Sequence, residues 1–475
     1  MLFHSFEFMI FFAVTLCLYY AFPGKRIYLL ALANLFFYSI AGIGYLALFI
    51  GITSITYFCS LKLQGKFKKL YFLFALILNI SNLVFFKYSL FIFTNIERFV
   101  PFNLTSAEGV LSQIILPIGI SFYTFQIIAY IVDVYQGKLE PCRNWLDFWV
   151  FTSLFAKLVA GPIMRGKDLL PQIETIKEIT FKKEYFKLGI AYFMLGLIKK
   201  IILADQIAPY VEQFYAKGAA MTGADSWLAT YLFGFQLYFD FSAYSDMAVG
   251  VGYLLGLKLA INFKTPYLSG SGTEFWRRWH ITLSNWIRDY VYIPLGGSRK
   301  GKNRQLANIL LAMFISGLWH GASWSFILWG VYHGVLQVLH KIYLDLRKKF
   351  NLDWLAEKRI YHFVSIFVFF NLASLGWVLF GRTDIKSALV IISKMLYFNP
   401  LSLVQNGLLP YVIVVLVLYG LHIIEYFIFK HLAQISLMWH KYFPAPIRGL
   451  AYTLLIVVLV MSLGTAENNF IYFQF

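Results

Sequence analysis

The chain has 475 residues, of which 60% are hydrophobic and only 13% charged, with 49 Phe, 32 Tyr and 12 Trp. Soluble domains are nearer roughly 45–50% apolar and about 25% charged, so this composition excludes a water-soluble enzyme, a disordered chain and a collagen-like fibre. The net charge of +18 would point to nucleic acid in a soluble protein, but here the basic residues sit in short clusters between apolar runs, the pattern of loop charge that orients membrane spans.

The first apolar run, 6–22, has no Lys or Arg before it and no A-x-A site after it. It reads as a retained first span rather than a cleaved signal. Lys25 and Arg26 follow it, which predicts an extracytoplasmic N-terminus. Runs at 27–41, 44–60 and 70–86 come next, each near the roughly 17–25 residues a crossing needs. Lys62, Lys66, Lys68 and Lys69 predict a cytoplasmic loop between the last two. Further runs lie near 113–135, 148–161, 187–204, 226–256, 305–340, 362–380, 385–396, 410–429 and 449–463. The mixed segment 172–187 reads equally as an interfacial helix or a solvated loop helix. Lys441 and Arg448 predict that the last run exits outward, leaving the tail 464–475 outside. Both termini outside require an even number of crossings, ten or twelve. No linker is long enough to divide the chain, so 1–475 is expected to be one all-α, polytopic membrane domain. Cys17, Cys59 and Cys142 form no CxxC, and neither a disulfide framework nor a metal site is expected. The bilayer, not nucleic acid, is the expected partner.

From Gln305 to His340 there is no Asp, Glu, Lys or Arg. As one helix this stretch would measure about 54 Å, against a hydrocarbon core about 30 Å thick. Its flanks are both basic: Arg299, Lys300, Lys302 and Arg304 before it, Lys341, Arg347, Lys348 and Lys349 after it. The chain must enter the membrane and return, and Gly317, Gly321, Gly330 and Gly334 supply points for bending or breaking. His320 lies near the middle of this run and His333 thirteen residues on. An ionisable group at depth is a functional candidate, although a membrane histidine serves as often as an interhelical hydrogen-bonding group. A neutral imidazole accepts a proton near neutral pH.

Other polar groups stand in apolar context. Asp240 and Asp246 could line a polar cavity with Ser242 and Ser245, or pair between helices; the second reading carries slightly more weight. His422 and Glu425 are three apart, share a helix face and are expected to satisfy each other. The segment 274–297 is dense in Trp, Arg and His. Its guanidinium groups suit phosphate or nucleotide binding, and an aromatic interfacial belt explains the same composition.

Four motifs in order carry a resemblance: Tyr238-Phe-Asp-Phe-Ser-Ala-Tyr-Ser-Asp-Met, Glu274-Phe-Trp-Arg-Arg-Trp-His, Arg288-Asp-Tyr-Val-Tyr-Ile-Pro-Leu-Gly-Gly and Gly317-Leu-Trp-His-Gly-Ala-Ser-Trp. Together with Leu116-Pro-Ile-Gly-Ile-Ser-Phe-Tyr-Thr-Phe-Gln and Lys157-Leu-Val-Ala-Gly-Pro-Ile-Met-Arg165, they resemble the membrane-bound O-acyltransferase (MBOAT) family. The likeness is greatest to the branch of alginate and peptidoglycan O-acetyltransferases; the teichoic-acid D-alanyl transfer protein is more distant. The resemblance implies re-entrant helices around a central tunnel, His320 as the catalytic histidine, a cytoplasmic acyl thioester such as acetyl-CoA as donor with no bound cofactor, and an acceptor outside. The ending Phe470-Ile-Tyr-Phe-Gln-Phe475 is similar to the terminal motif of the small partner in the D-alanyl system. That likeness makes Tyr472 an acyl-accepting residue; an interfacial aromatic anchor is the competing reading.

The expected reaction is therefore O-acetyl transfer across the bacterial cytoplasmic membrane. Arg277, Arg278, Arg288 and the cluster 299–304 would attract the anionic donor. His320 and Tyr472 would carry the acetyl group, with Trp319, Tyr332, His333, Asp246, His280 and Asp289 as candidate site-lining residues. An extracytoplasmic acetyltransferase or esterase-like protein would receive it for a polysaccharide, peptidoglycan before alginate. A D-alanyl or other acyl transferase is the nearest alternative. A proton-coupled transporter using Asp240, Asp246, His422 and Glu425 is the alternative of another class.

Overall fold

The computed structural model describes residues 1–97, 109, 112, 114–382, 384–462 and 470–471, the side chains of 433, 436, 437 and 440 excepted. Among these residues there is no β-strand, as the all-α reading expects. The chain packs as two compact units: the first comprises 1–196, 244–261 and 288–290, the second 197–243, 262–287 and 291–475.

The first unit opens with α1 (Phe6–Ala21), whose first turn is capped by the Ser5 hydroxyl accepting from the Phe8 N–H. Pro23 begins a single 3₁₀ turn, and α2 (Arg26–Ser39) leaves it at 113° to α1. Arg26 is buried at this corner. It donates to the carbonyl of Tyr19 at 3.0 Å and to those of Ile176 and Ile179, so one guanidinium caps several otherwise open backbone acceptors. Next come α3 (Ile43–Leu61), α4 (Lys68–Glu97), α5 (Ile120–Tyr135), α6 (Trp145–Ser153), α7 (Gly166–Glu174) and α8 (Lys183–Leu197). The run near 148–161 is not a span. It consists of α6 and a four-residue turn, and every residue in it is buried. Its hydropathy reflects protein packing rather than lipid, since irregular backbone within a membrane protein must be enclosed. The segment 172–187 likewise divides between the end of α7, a 3₁₀ turn and the start of α8.

The second unit continues with a π-helical stretch, Ile198–Ala204, then α9 (Asp205–Ala216) and α10 (Gly223–Leu254), whose last turns belong to the first unit. Short helices α11 (Gly272–Trp276) and α12 (Ile281–Ile287) precede a long hairpin of α13 (Lys302–His320) and α14 (Trp324–Lys349). Then follow α15 (Arg359–Gly381), α16 (Ile385–Met395), α17 (Leu409–Lys430), α18 (Leu432–Tyr442) and α19 (Ala445–Ser462).

The uncharged run from 305 to 340 turns back on itself as a helix hairpin, but its glycines have different tasks. The break falls at residues 321–323, where Gly321 is extended and Ser323 caps α14. Gly317 and Gly330 lie inside helices and face each other: a Cβ on Gly317 would overlap the Phe326 carbonyl, and one on Gly330 that of Met313. They let the two arms pack backbone to backbone, the small-residue device of membrane helix pairs.

Five helices are long and apolar enough to cross a bilayer (α3, α4, α15, α17 and α19), and the bent α1–α2 pair makes a sixth if counted as one span. In α4 and α17 only 17% of the apolar window is buried, and in α19 only 6%. Apolar surface on this scale requires lipid as its solvent.

Candidate functional site

His320 is the last residue of α13 and is 3% exposed. Aromatic rings surround it. Trp329 lies 4.8 Å away between centroids, Trp319 5.0 Å and Phe380 5.1 Å, all edge-to-face, and Phe326 stacks at 6.5 Å. Gly321 is needed at the next position, because a Cβ there would collide with the Phe326 ring. The Trp-His-Gly sequence thus has a local reason. The helix ends on the histidine, glycine admits a ring beneath it, and the second arm returns Trp329 one turn into α14. An imidazole is a group that can take a proton from a hydroxyl.

Several expected residues assemble around this box. Trp319 bridges His320 to His280, whose ring centroid is 5.7 Å from the indole. His280 is fully buried, adopts φ 40°, and packs 4.8 Å from Phe241. A left-handed conformation at a non-glycine residue costs energy and persists where surrounding contacts fix it. Here Asn262 accepts from the Thr282 hydroxyl at 2.6 Å, and its carbonyl accepts the Ile281 N–H at 2.9 Å. His333 is 4.9 Å from Trp329 and 5.3 Å from Trp276. Among the described residues neither of its ring nitrogens, nor the indole N–H of Trp276 or Trp329, has a hydrogen-bond partner. Buried polar atoms are rarely left so. Tyr332 is tied down instead: its hydroxyl donates to the Leu372 carbonyl at 2.7 Å.

Arg277 is exposed, and Arg278 pairs with Glu274 at 2.7 Å in the second unit. Arg288, Asp289 and Asp246 belong to the first unit. There Asp289 pairs with Arg288 at 2.7 Å and with Arg165 at 3.1 Å, and Arg165 stacks 4.4 Å from the Tyr290 ring. Asp246 is buried. Tyr472 lies outside the described residues.

Two lysines were missed in sequence. Lys199 and Lys200 sit in the π-helical stretch and are both about 4% exposed. Lys199 pairs with Glu425 at 2.5 Å, and Glu425 also accepts from the Tyr238 hydroxyl at 2.8 Å and meets His422 Nδ1 at 3.2 Å. The expected His422–Glu425 contact is therefore one part of a larger network. Lys200 pairs with Asp205 at 2.8 Å and Asp240 at 2.9 Å. Consecutive lysines inside an apolar run, with a single carboxylate, Asp205, five residues on, were the available signal. These ion pairs neutralise the carboxylates that a proton-coupled transporter would need free.

The second unit's described tail residues reach the same neighbourhood. Phe470 and Ile471 are 2% and 4% exposed. Phe470 lies 6.0 Å from Phe241, so the rings Phe470, Phe241, His280, Trp319 and His320 form a continuous series. A cavity of about 140 Å³ is lined by Ile471, Asp240, Lys200 and Gly381, the last adjacent to the Phe380 that packs on His320.

The fold and the site define the class of helical membrane proteins that carry a buried histidine on a helix hairpin, enclosed by aromatic rings. The family model for MBOAT, the membrane-bound O-acyltransferase family, matches residues 143–381. The peptidoglycan O-acetyltransferase of Helicobacter pylori is 36% identical over 403 residues, 79% of this chain and 74% of that protein. A probable alginate O-acetylase AlgI of Azotobacter vinelandii is 37% identical over 400 residues, 83% and 77% of the two chains. The teichoic acid D-alanyltransferase of Bacillus subtilis is 31% identical over 280 residues, 56% and 68%. The chain belongs to the membrane-bound O-acyltransferase family and is a multi-pass membrane O-acyltransferase.

Proposed function

We propose that this protein moves an acetyl group from a cytoplasmic thioester, such as acetyl-CoA, across a bacterial cytoplasmic membrane for O-acetylation of a cell-envelope polysaccharide. Peptidoglycan is the favoured polymer and an alginate-type polysaccharide the next, in keeping with the names of the similar proteins. The donor meets the basic cytoplasmic face, where Arg277, Arg278, Arg288 and the cluster 299–304 attract its phosphates. His320 acts as general base, and the phenol of Tyr472, approaching from the extracytoplasmic side, is the first acceptor. The acetyl carbon loses its bond to the donor sulfur and gains one to the phenol oxygen. The phenol proton passes to the imidazole and then to the leaving thiolate. A phenol is a weak nucleophile at neutral pH and needs such a base. Its ester remains activated, because phenolate, with a pKa of about 10, leaves more easily than a sugar alkoxide. A separate extracytoplasmic acetyltransferase or esterase-like partner then passes the acetyl group to the glycan.

The observation that carries this reading is the burial of Phe470 and Ile471 beside the ring series that ends on His320. The test is intact-protein mass spectrometry on vesicles given isotope-labelled acetyl-CoA. An acetyl mass is expected on the fragment that follows Arg448 in the wild type. Tyr472→Phe keeps the aromatic ring, deletes only the hydroxyl, and should remove that mass together with transfer. Full transfer by Tyr472→Phe would reject the relay and leave Tyr472 an interfacial anchor. Labelling only from a D-alanyl carrier would select the alternative donor.

A further inference from the structure

Asp240 stands inside α10, 2% exposed, and both its oxygens are engaged by different parts of the chain. Oδ1 faces Lys200 Nζ at 2.9 Å, and Oδ2 accepts the main-chain N–H of Ile471 at 2.7 Å, across 231 residues of sequence. Lys200 also holds Asp205. The neighbouring Lys199 is turned to Glu425 on α17. Neighbouring residues of a helix point to different sides, so the two lysines reach different partners, and π-helical turns gather at functional sites. The 140 Å³ cavity against Ile471 is lined by the same Lys200, Asp205 and Asp240, with Tyr215, Gln236 and Gly381.

A buried carboxylate is costly unless it is paired. Lys200 compensates Asp240, and the compensated carboxylate then offers a charge-assisted acceptor, the stronger kind of hydrogen bond. It is spent on a backbone N–H of the tail, not on a side chain. That bond fixes the register of the chain independently of which side chain residue 471 carries. We infer that the Lys200–Asp205–Asp240 cluster and its cavity are the dock for the main chain of the protein's own C-terminal tail, and that Asp240 is a positioning residue that sets which tail residue is presented to the reaction. This rests on the relay reading and deepens it: with Ile471 held, the following residue, Tyr472, is the one offered.

The experiment uses the full-length protein in lipid nanodiscs and reads hydrogen exchange at the Ile471 amide by fragmentation mass spectrometry. The wild-type amide should be protected. Asp240→Ala should accelerate its exchange by about 10- to 150-fold, the range for a lost hydrogen bond to a charged group, while Asp240→Asn, which keeps an acceptor oxygen, should retain most protection. Because Asp240→Ala also disturbs Lys200, a second variant leaves the cluster whole: Ile471→Pro removes the donor N–H and fixes φ there, and Ile471→Ala shortens the side chain but keeps the N–H. Ile471→Pro should lower transfer by at least about tenfold relative to Ile471→Ala, with unchanged KM for the thioester. A wild-type Ile471 amide exchanging at the free-chain rate would overturn the dock, and so would folded Asp240→Ala with undiminished protection. Ile471→Pro with full transfer would overturn the positioning role. If Tyr472→Phe is fully active while protection still depends on Asp240, the relay falls and the dock stands. If Tyr472→Phe is inactive and the Ile471 amide is unprotected, the reverse holds.

Discussion

Two buried regions of the second unit differ in kind. Around His320 the neighbours are neutral rings, Trp319, Trp329, Phe326 and Phe380. Around the π-helical stretch they are full charges: Lys199 with Glu425, and Lys200 with Asp205 and Asp240. Both regions are polar groups placed where water is scarce, but the cost is met differently. The imidazole is buried among rings. The lysines and carboxylates are buried as compensated pairs, which fix helices and the tail and leave little capacity for chemistry. On the proposed mechanism the reacting group is set among rings and the anchoring groups among opposite charges.

The contrast makes predictions of decreasing size. His320→Ala should lower transfer by about 10²- to 10⁴-fold, the usual worth of a general base, while the protein remains folded in the membrane. A large loss of stability instead would place His320 with the anchoring groups. Lys199→Met should act in the opposite sense on the two readouts. It leaves Glu425 buried without its ammonium and should destabilise by about 3–5 kcal/mol in denaturant unfolding in micelles. Pairing it with Glu425→Leu should recover part of that loss, and no recovery would mean that the pair is not the source of the effect. The smallest effect belongs to the hairpin that carries the histidine. Gly330→Ala forces a methyl against the Met313 carbonyl and should cost about 1–3 kcal/mol of stability. It should also lower transfer, because the arms that bring Trp329 to His320 are pushed apart; undiminished activity would show that the box tolerates that shift.

Much of this was readable from local features. Hydropathy marked the lipid-facing helices α3, α4, α15, α17 and α19. Basic flanks around an uncharged run too long for one crossing marked the hairpin. His320 stood out as the ionisable group at its turn. Where local reading went astray, the cause was burial by protein. The run near 148–161 is as apolar as a span but lies wholly inside the first unit, and hydropathy does not distinguish lipid from packed protein as the solvent of an apolar side chain. The glycines of the hairpin were visible too, but not that Gly317 and Gly330 serve contact while Gly321 serves the turn.

The amino-acid order by itself determined the solvent of this protein, the turning back of the 305–340 run and the residue types available for acyl transfer, because each depends on neighbours within a few turns of chain. Tertiary structure decided which charges meet. Lys200 finds Asp240, Lys199 finds Glu425, and the Ile471 N–H finds Asp240 across 231 residues. Pairings at such separations leave no periodicity in the sequence, since they are selected only when packing has removed the water that would otherwise solvate each partner alone.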